Sequence, residues 1–111
     1  MSKLERFMRI GNPKLVLEHI GRIRKPEVIA LALDHRSSGV RMNSASRLGK
    51  IAGPEFIPTL QERLKSEKIS NTAEELVFAI EKIRRRKKYG KIIGNALSLI
   101  LEGHERAIGG Y

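Results

Sequence analysis

Seven of the ten residues from Lys82 to Lys91 are basic and none is acidic: Lys82, Arg84, Arg85, Arg86, Lys87, Lys88 and Lys91. Clustered lysines and arginines neutralise phosphates, and each phosphate so met releases condensed counterions, which yields affinity without base selection. Arginine adds bidentate geometry toward a phosphate, and Tyr89, beside Lys88, carries a ring able to stack on an unpaired base. Arg22, Arg24 and Lys25 form a second cluster, and the stretch from Arg36 to Lys50 holds Arg36, Arg41, Arg47 and Lys50 with no acid. Over 111 residues there are 22 Lys+Arg against 12 Asp+Glu, a formal charge of +10. Solubility does not require such an excess, and a helix dipole is complemented by one or two terminal cations rather than seven.

Other chemistry finds little footing. Cysteine is absent, which excludes disulfides, thiolate zinc sites and cysteine nucleophiles. His19, His35 and His104 are spaced so that no two share one face of a single helix. The serines have no paired base, and neither a Gly-x-Ser-x-Gly nor a Gly-x-x-x-x-Gly-Lys segment occurs. These absences predict a non-enzymatic chain with no metal, no cofactor and no small-molecule substrate.

Helices must position the cations, because apolar residues recur at three and four residues, as in Ile57, Leu60, Leu64 and Leu76, Ile80, Ile83. Prolines mark helix starts at Asn12-Pro13, Lys25-Pro26 and Gly53-Pro54, where a missing N–H costs nothing. Ser2 with Glu5, and Asn71 with Glu74, have capping-box spacing. The spacing predicts seven helices, at 2–10, 13–24, 26–35, 40–52, 54–66, 71–88 and 91–103, in one all-α domain spanning 1–111. The longest mostly apolar run, Ile92 to Leu101, is interrupted by Gly94, Asn95 and Ser98 and is about half of what a bilayer requires. With no apolar stretch of signal-peptide type after Met1, the expected location is cytoplasmic, away from membranes.

The chain repeats itself. Leu17-x-x-Ile20-Gly21-Arg22-Ile23 followed by Pro26-Glu27-Val28-Ile29 returns 28 residues later as Ala45-x-x-Leu48-Gly49-Lys50-Ile51 and Pro54-Glu55-Phe56-Ile57. A weaker third copy has Val77-x-x-Ile80-Glu81-Lys82-Ile83, with Ile92-Ile93 opening its second helix. One helix pair cannot cover its own apolar face, so the units, about 13–35, 40–66 and 71–103, are expected to stack into a right-handed solenoid. Helix 2–10, with Leu4, Phe7 and Met8 on one side, then serves as an N-terminal cap. The apolar face of helix 91–103 (Ile93, Leu97, Ile100, Leu101) covers the last unit, and 104–111 is a tail.

The middle unit reads Gly39-Val40-Arg41-Met42-Asn43-Ser44-Ala45-Ser46-Arg47-Leu48-Gly49-Lys50-Ile51-Ala52-Gly53-Pro54-Glu55-Phe56-Ile57-Pro58-Thr59-Leu60. Its opening Val-Arg pair, its Ala-x-x-Leu-Gly-x-Ile segment and its Pro-Glu-x-x-Pro-x-Leu start of a second helix resemble a HEAT-like repeat of the phycobilisome-lyase type. The resemblance covers about residues 13 to 83. The flanking units depart from it, since Pro13 and Ala73 stand where Arg41 does and Glu81 replaces the glycine. It accounts for Pro58, which propensity alone would not place five residues into a helix. The resemblance implies an α-α superhelix and a binding scaffold, but no bilin-lyase activity, because many non-enzymes share such repeats. It also implies that Arg41 belongs to a structural ladder between units rather than to a functional pair with Asp34. HEAT-like hydroxylases hold two irons with several His-Glu dyads, whereas one dyad, His104-Glu105, is present here and lies beyond the matched repeats.

Superposing the repeats places Arg22, Lys50 and Lys82 at one equivalent position, and Arg24-Lys25 coincides with Arg84-Arg85. A basic ridge is therefore expected along the turns from first to second helices, made of Arg22, Arg24, Lys25, Arg47, Lys50, Lys82, Arg84, Arg85, Arg86, Lys87, Lys88, Tyr89 and Lys91. Aromatics are few, and Phe7, Phe56 and Phe78 are expected in the core, so the ridge suits structured RNA, a ribosome or duplex DNA better than a stacked single strand. The alternative is a protein adaptor whose concave face, lined by second helices, holds an acidic segment of a partner.

Overall fold

The computed structural model describes residues 2–86, and helices are the regular elements throughout them. These are α1 (Lys3–Ile10), α2 (Pro13–Ile20), α3 (Pro26–Ala30), α4 (Ser38–Ile51), α5 (Ile57–Ser66) and α6 (70–86). A 3-10 turn, Leu31–Asp34, prolongs α3, and another, Pro54–Phe56, leads into α5. Each expected helix from 2–10 to 71–88 thus meets a helical segment, and 91–103 and 104–111 lie outside the described residues.

Local chemistry explains the starts. Ser2 Oγ accepts the Glu5 N–H at 3.1 Å, and Asn12 Oδ1 accepts those of Lys14 and Leu15 ahead of Pro13, which satisfies donors that a first turn leaves orphaned. Ser37 Oγ does the same for Val40. Asn71, expected as a cap, instead lies inside α6, which starts at residue 70. Pro58 also differs from expectation. The α-helix proper begins at Ile57, so Pro58 occupies its first turn, where no intrahelical N–H bond is lost and no bend is needed.

The core is one continuous cluster drawn from every element, including Met8, Val16, Ile29, Leu33, Val40, Leu48, Leu60, Leu76 and Ile83. Phe7 and Phe56 pack against it in part. Phe78, expected there, is 46% exposed, and Val77, aligned with buried Ala45, is 38% exposed. The reason is positional. Gly49 of α4 faces α6 so closely that a Cβ there would lie 3.0 Å from Ala79 Cα. The corresponding α6 positions, Val77 and Glu81, meet no further helix among the described residues. Glu81 can therefore stand where the pattern has glycine.

Three helices lie side by side and run the same way. Their starts are tied by His35 Nε2 donating to Gly11 O at 2.7 Å, and by Thr72 Oγ1 donating to Ser38 O at 3.4 Å. Their far ends are tied by Arg47 Nη2 on Ile23 O and by Arg86 Nη1 on Gly49 O. The helices so aligned are α2, α4 and α6, the last as far as residue 86.

Candidate nucleic-acid interface

Two edges of this arrangement differ in how their charges are matched. At the edge where α4 and α6 begin, Glu67 sits between α5 and α6 with its side chain only 1% exposed. Arg41 grips it through two N–H groups, Nε to Oε1 at 2.8 Å and Nη2 to Oε2 at 3.1 Å. The same guanidinium donates from Nη1 to His35 O and Arg36 O. Arg63 approaches Glu67 at 3.5 Å and Asp34 at 3.8 Å. The backbone N–H groups of Lys68 and Ile69 also donate to Glu67. The Arg41 hydrogen bond, helped by the Ile69 N–H and opposed by burial, holds the Glu67 carboxyl below the usual carboxylate range. Asp34 is thus a partner of Arg63 rather than of Arg41, because the Arg41 fork is occupied by Glu67.

His35 occupies the turn before α4 much as Glu67 occupies the turn before α6. It is fully buried, accepts the Ser37 N–H on Nδ1 at 2.9 Å and donates from Nε2 to Gly11 O, an arrangement that assigns its tautomer. His19 stands edge-on to Phe7, centroids 5.5 Å apart. Both rings make contacts within the fold. His104 and Glu105 lie outside the described residues. No group of three or more His, Asp or Glu side chains able to hold a metal occurs among the described residues.

The opposite edge, where α2 and α4 end and α6 reaches its last described turn, carries the predicted cations. Arg22, Arg24, Lys25, Lys50, Lys82 and Arg84 are all exposed, and none forms an ion pair among the described residues. The equivalent positions come together in order. Lys50 lines a small groove with Gly21, the neighbour of Arg22, and the Lys82 side chain lies over Gly49 at 3.5 Å from where a Cβ would be. Glu27, Glu55 and Glu81 lie beside these positions in the sequence, and the Glu55 carboxylate folds back over Gly53.

Three predicted residues have other ties. Arg86 donates to the carbonyls of Gly49, Lys50 and Ala52, the unsatisfied end of α4, so it caps a neighbouring helix. Arg47 gives one N–H to Ile23 O at 3.2 Å while its Nε is buried without a partner. Arg85 pairs loosely with Glu81 at 3.8 Å, both exposed. Lys87, Lys88, Tyr89 and Lys91 lie outside the described residues.

Residue types alone did not flag Glu67, Arg63, Asn43 or Ser46. For the last two a signal existed: Asn43, Ser46, Arg47 and Lys50 fall at i, i+3, i+4 and i+7 and so share one face of α4. No family model, curated protein or solved structure matches the chain.

Proposed function

We propose that this chain is a non-enzymatic binding protein, a short basic HEAT-like solenoid that holds nucleic acid, such as structured RNA in a ribosome or duplex DNA, by its phosphate backbone. The observation that carries the reading is the contrast between edges. Where α4 and α6 begin, the buried carboxylate of Glu67 is matched by Arg41 and Arg63, with Arg36 and Lys68 exposed beside it, while the more numerous cations Arg22, Arg24, Lys25, Lys50, Lys82 and Arg84 at the other edge are exposed and without ion pairs among the described residues. Cations left facing water in a row suit a polyanion with regularly spaced charges. Parallel packing of α2, α4 and α6 supports the repeat reading, since stacked helix-pair units would place their first helices in this way.

The test removes charge where it has no structural tie. Arg22→Glu, Lys50→Glu, Lys82→Glu and Arg84→Glu together should abolish retention on duplex RNA or DNA while leaving the thermal melt close to that of the parent. Unchanged binding in this variant would overturn the reading. Arg86 must be left alone, because its loss would also unseat α4. Binding by the parent should weaken steeply as salt rises, with a log–log slope of about −0.9 for each phosphate neutralised on duplex DNA.

The protein-adaptor alternative rests on a groove of about 660 Å³ between the Leu31–Asp34 turn and α5. Its walls mix Asp34 and Glu62 with Arg63 and Lys65, which matches an acidic segment less well than the unpaired edge does. Purification from native cells with and without nuclease separates the two, since only a nucleic-acid-held set of partners is lost on nuclease treatment.

A further inference from the structure

Between the end of α2 and the middle of α4 lies a second groove of about 140 Å³, floored by Leu17 and Ile20. Its polar wall is the single face of α4 that carries Ser46, Arg47 and Lys50, and Gly21 closes it from α2. No carboxylate lines it. Asn43 at the rim is held by its own bond from Nδ2 to Gly39 O at 2.7 Å. Ser46 has no side-chain hydrogen bond among the described residues, and Arg47 uses one N–H on Ile23 O while Nε stays unpartnered. A charged side chain short of acceptors at a partly buried site is expensive; Arg9 Nε and Arg63 Nε are left in the same way, but neither lines this groove, and among the described residues that do line it no carboxylate faces Arg47. Volume narrows the class of ligand. The groove has room for roughly four or five waters, which fits a phosphate group, and its carboxylate-free lining of Ser46, Arg47 and Lys50 suits an oxyanion.

We propose that this groove seats one backbone phosphate, held by Ser46, Arg47 and Lys50, and so fixes the register of the nucleic acid on the basic edge. The inference deepens the nucleic-acid reading above and rests on it for the identity of the ligand. The exposed cations Arg22, Arg24, Lys25, Lys82 and Arg84 supply long-range attraction, whereas the groove supplies the one geometrically defined contact.

The experiment is an amide-resolved NMR titration of the full chain with inorganic phosphate at constant ionic strength, with acetate as the comparison anion. Saturable shifts at Gly21, Ser46, Arg47 and Lys50 are expected, with acetate much weaker. Ser46→Ala with Lys50→Gln, both at sites with no structural bond, should weaken phosphate binding about tenfold without moving the melt. Shifts that fail to saturate, spread evenly over Arg24, Lys25 and Arg84, or appear equally with acetate would overturn the groove. A duplex RNA arm separates the two proposals. In this arm Ser46→Ala is used alone, because Lys50 also belongs to the basic edge, and loss of affinity supports both. Retained duplex affinity in that variant sinks the groove and leaves the edge reading intact. Saturable phosphate binding with no duplex binding by the parent sinks the nucleic-acid reading and leaves an oxyanion site.

Discussion

At the scale of single residues, Glu67 is the clearest instance of a side chain whose role depends on what surrounds it. In the sequence it is one acid in Lys65-Ser66-Glu67-Lys68, flanked by charge and easily read as solvated. In the fold it is nearly sealed, with the Arg41 fork on one side and two backbone N–H groups on the other. Removing one member of a buried pair strands the other, so Glu67→Gln should cost about 3 kcal/mol, read from urea denaturation. Its pH dependence has a fixed sign. The folded carboxyl titrates below its ordinary value of 4.5, so its contribution is fully present above that value and is lost as pH falls through the lower folded one. The stability difference between parent and Glu67→Gln should therefore shrink as denaturation is repeated from about pH 7 down to about pH 3. A difference that stays constant would show that the carboxylate charge contributes nothing.

At the scale of elements, two glycines at equivalent repeat positions do different work. Gly49 allows α4 and α6 to meet, since a Cβ there would lie 3.0 Å from Ala79 Cα and 3.2 Å from its Cβ. Gly21, at the end of α2, has right-handed helical φ and ψ and nothing closer than 3.5 Å to an added Cβ. Gly49→Leu should therefore destabilise by about 2 kcal/mol or more through overpacking. Gly21→Ala should be neutral or stabilising by about 0.5 kcal/mol, by restricting the unfolded chain. Chemical denaturation of both variants checks the pair. Arginines diverge in the same way. Arg86→Ala removes three bonds to the end of α4 and should cost about 1–2 kcal/mol, while Arg84→Ala, two positions away, should leave the melting temperature unchanged. Within the run Arg84-Arg85-Arg86 no propensity distinguishes these residues. Their difference arises because α6 lies parallel to α4 and its last described turn reaches the orphaned carbonyls there.

For the whole molecule, the organising feature is the division of charge between edges. The buried Glu67 and its arginines lie where α4 and α6 start, and Arg22, Arg24, Lys25, Lys50, Lys82 and Arg84, without ion pairs among the described residues, lie at the opposite edge. If that second edge lies along a duplex, each cation in contact contributes separately to counterion release. Successive replacement of Arg22, Lys50 and Lys82 by Gln should then reduce the log–log salt slope by about one per residue. A slope that drops only when Arg84 and Arg85 are changed would confine the contact to the end of α6. Among the described residues no helix is long and apolar enough to cross a membrane.

Periodicity and proline placement were sufficient to read the helices, because both act over a few residues and are written in local order. The recurrence, 28 residues from Arg22 to Lys50 and 32 from Lys50 to Lys82, likewise makes these three positions equivalent. Local order could not tell that Pro58 begins an α-helix rather than interrupting one, since that depends on where a 3-10 turn gives way at Ile57. Nor could it distinguish Arg86 and Arg47, which reach carbonyls of other helices, from Arg22 and Arg84, which face water. Those assignments come from tertiary structure alone. An arginine's role is set by whether an acceptor from a distant part of the chain falls within hydrogen-bond reach, and only the parallel packing of α2, α4 and α6 brings such acceptors there.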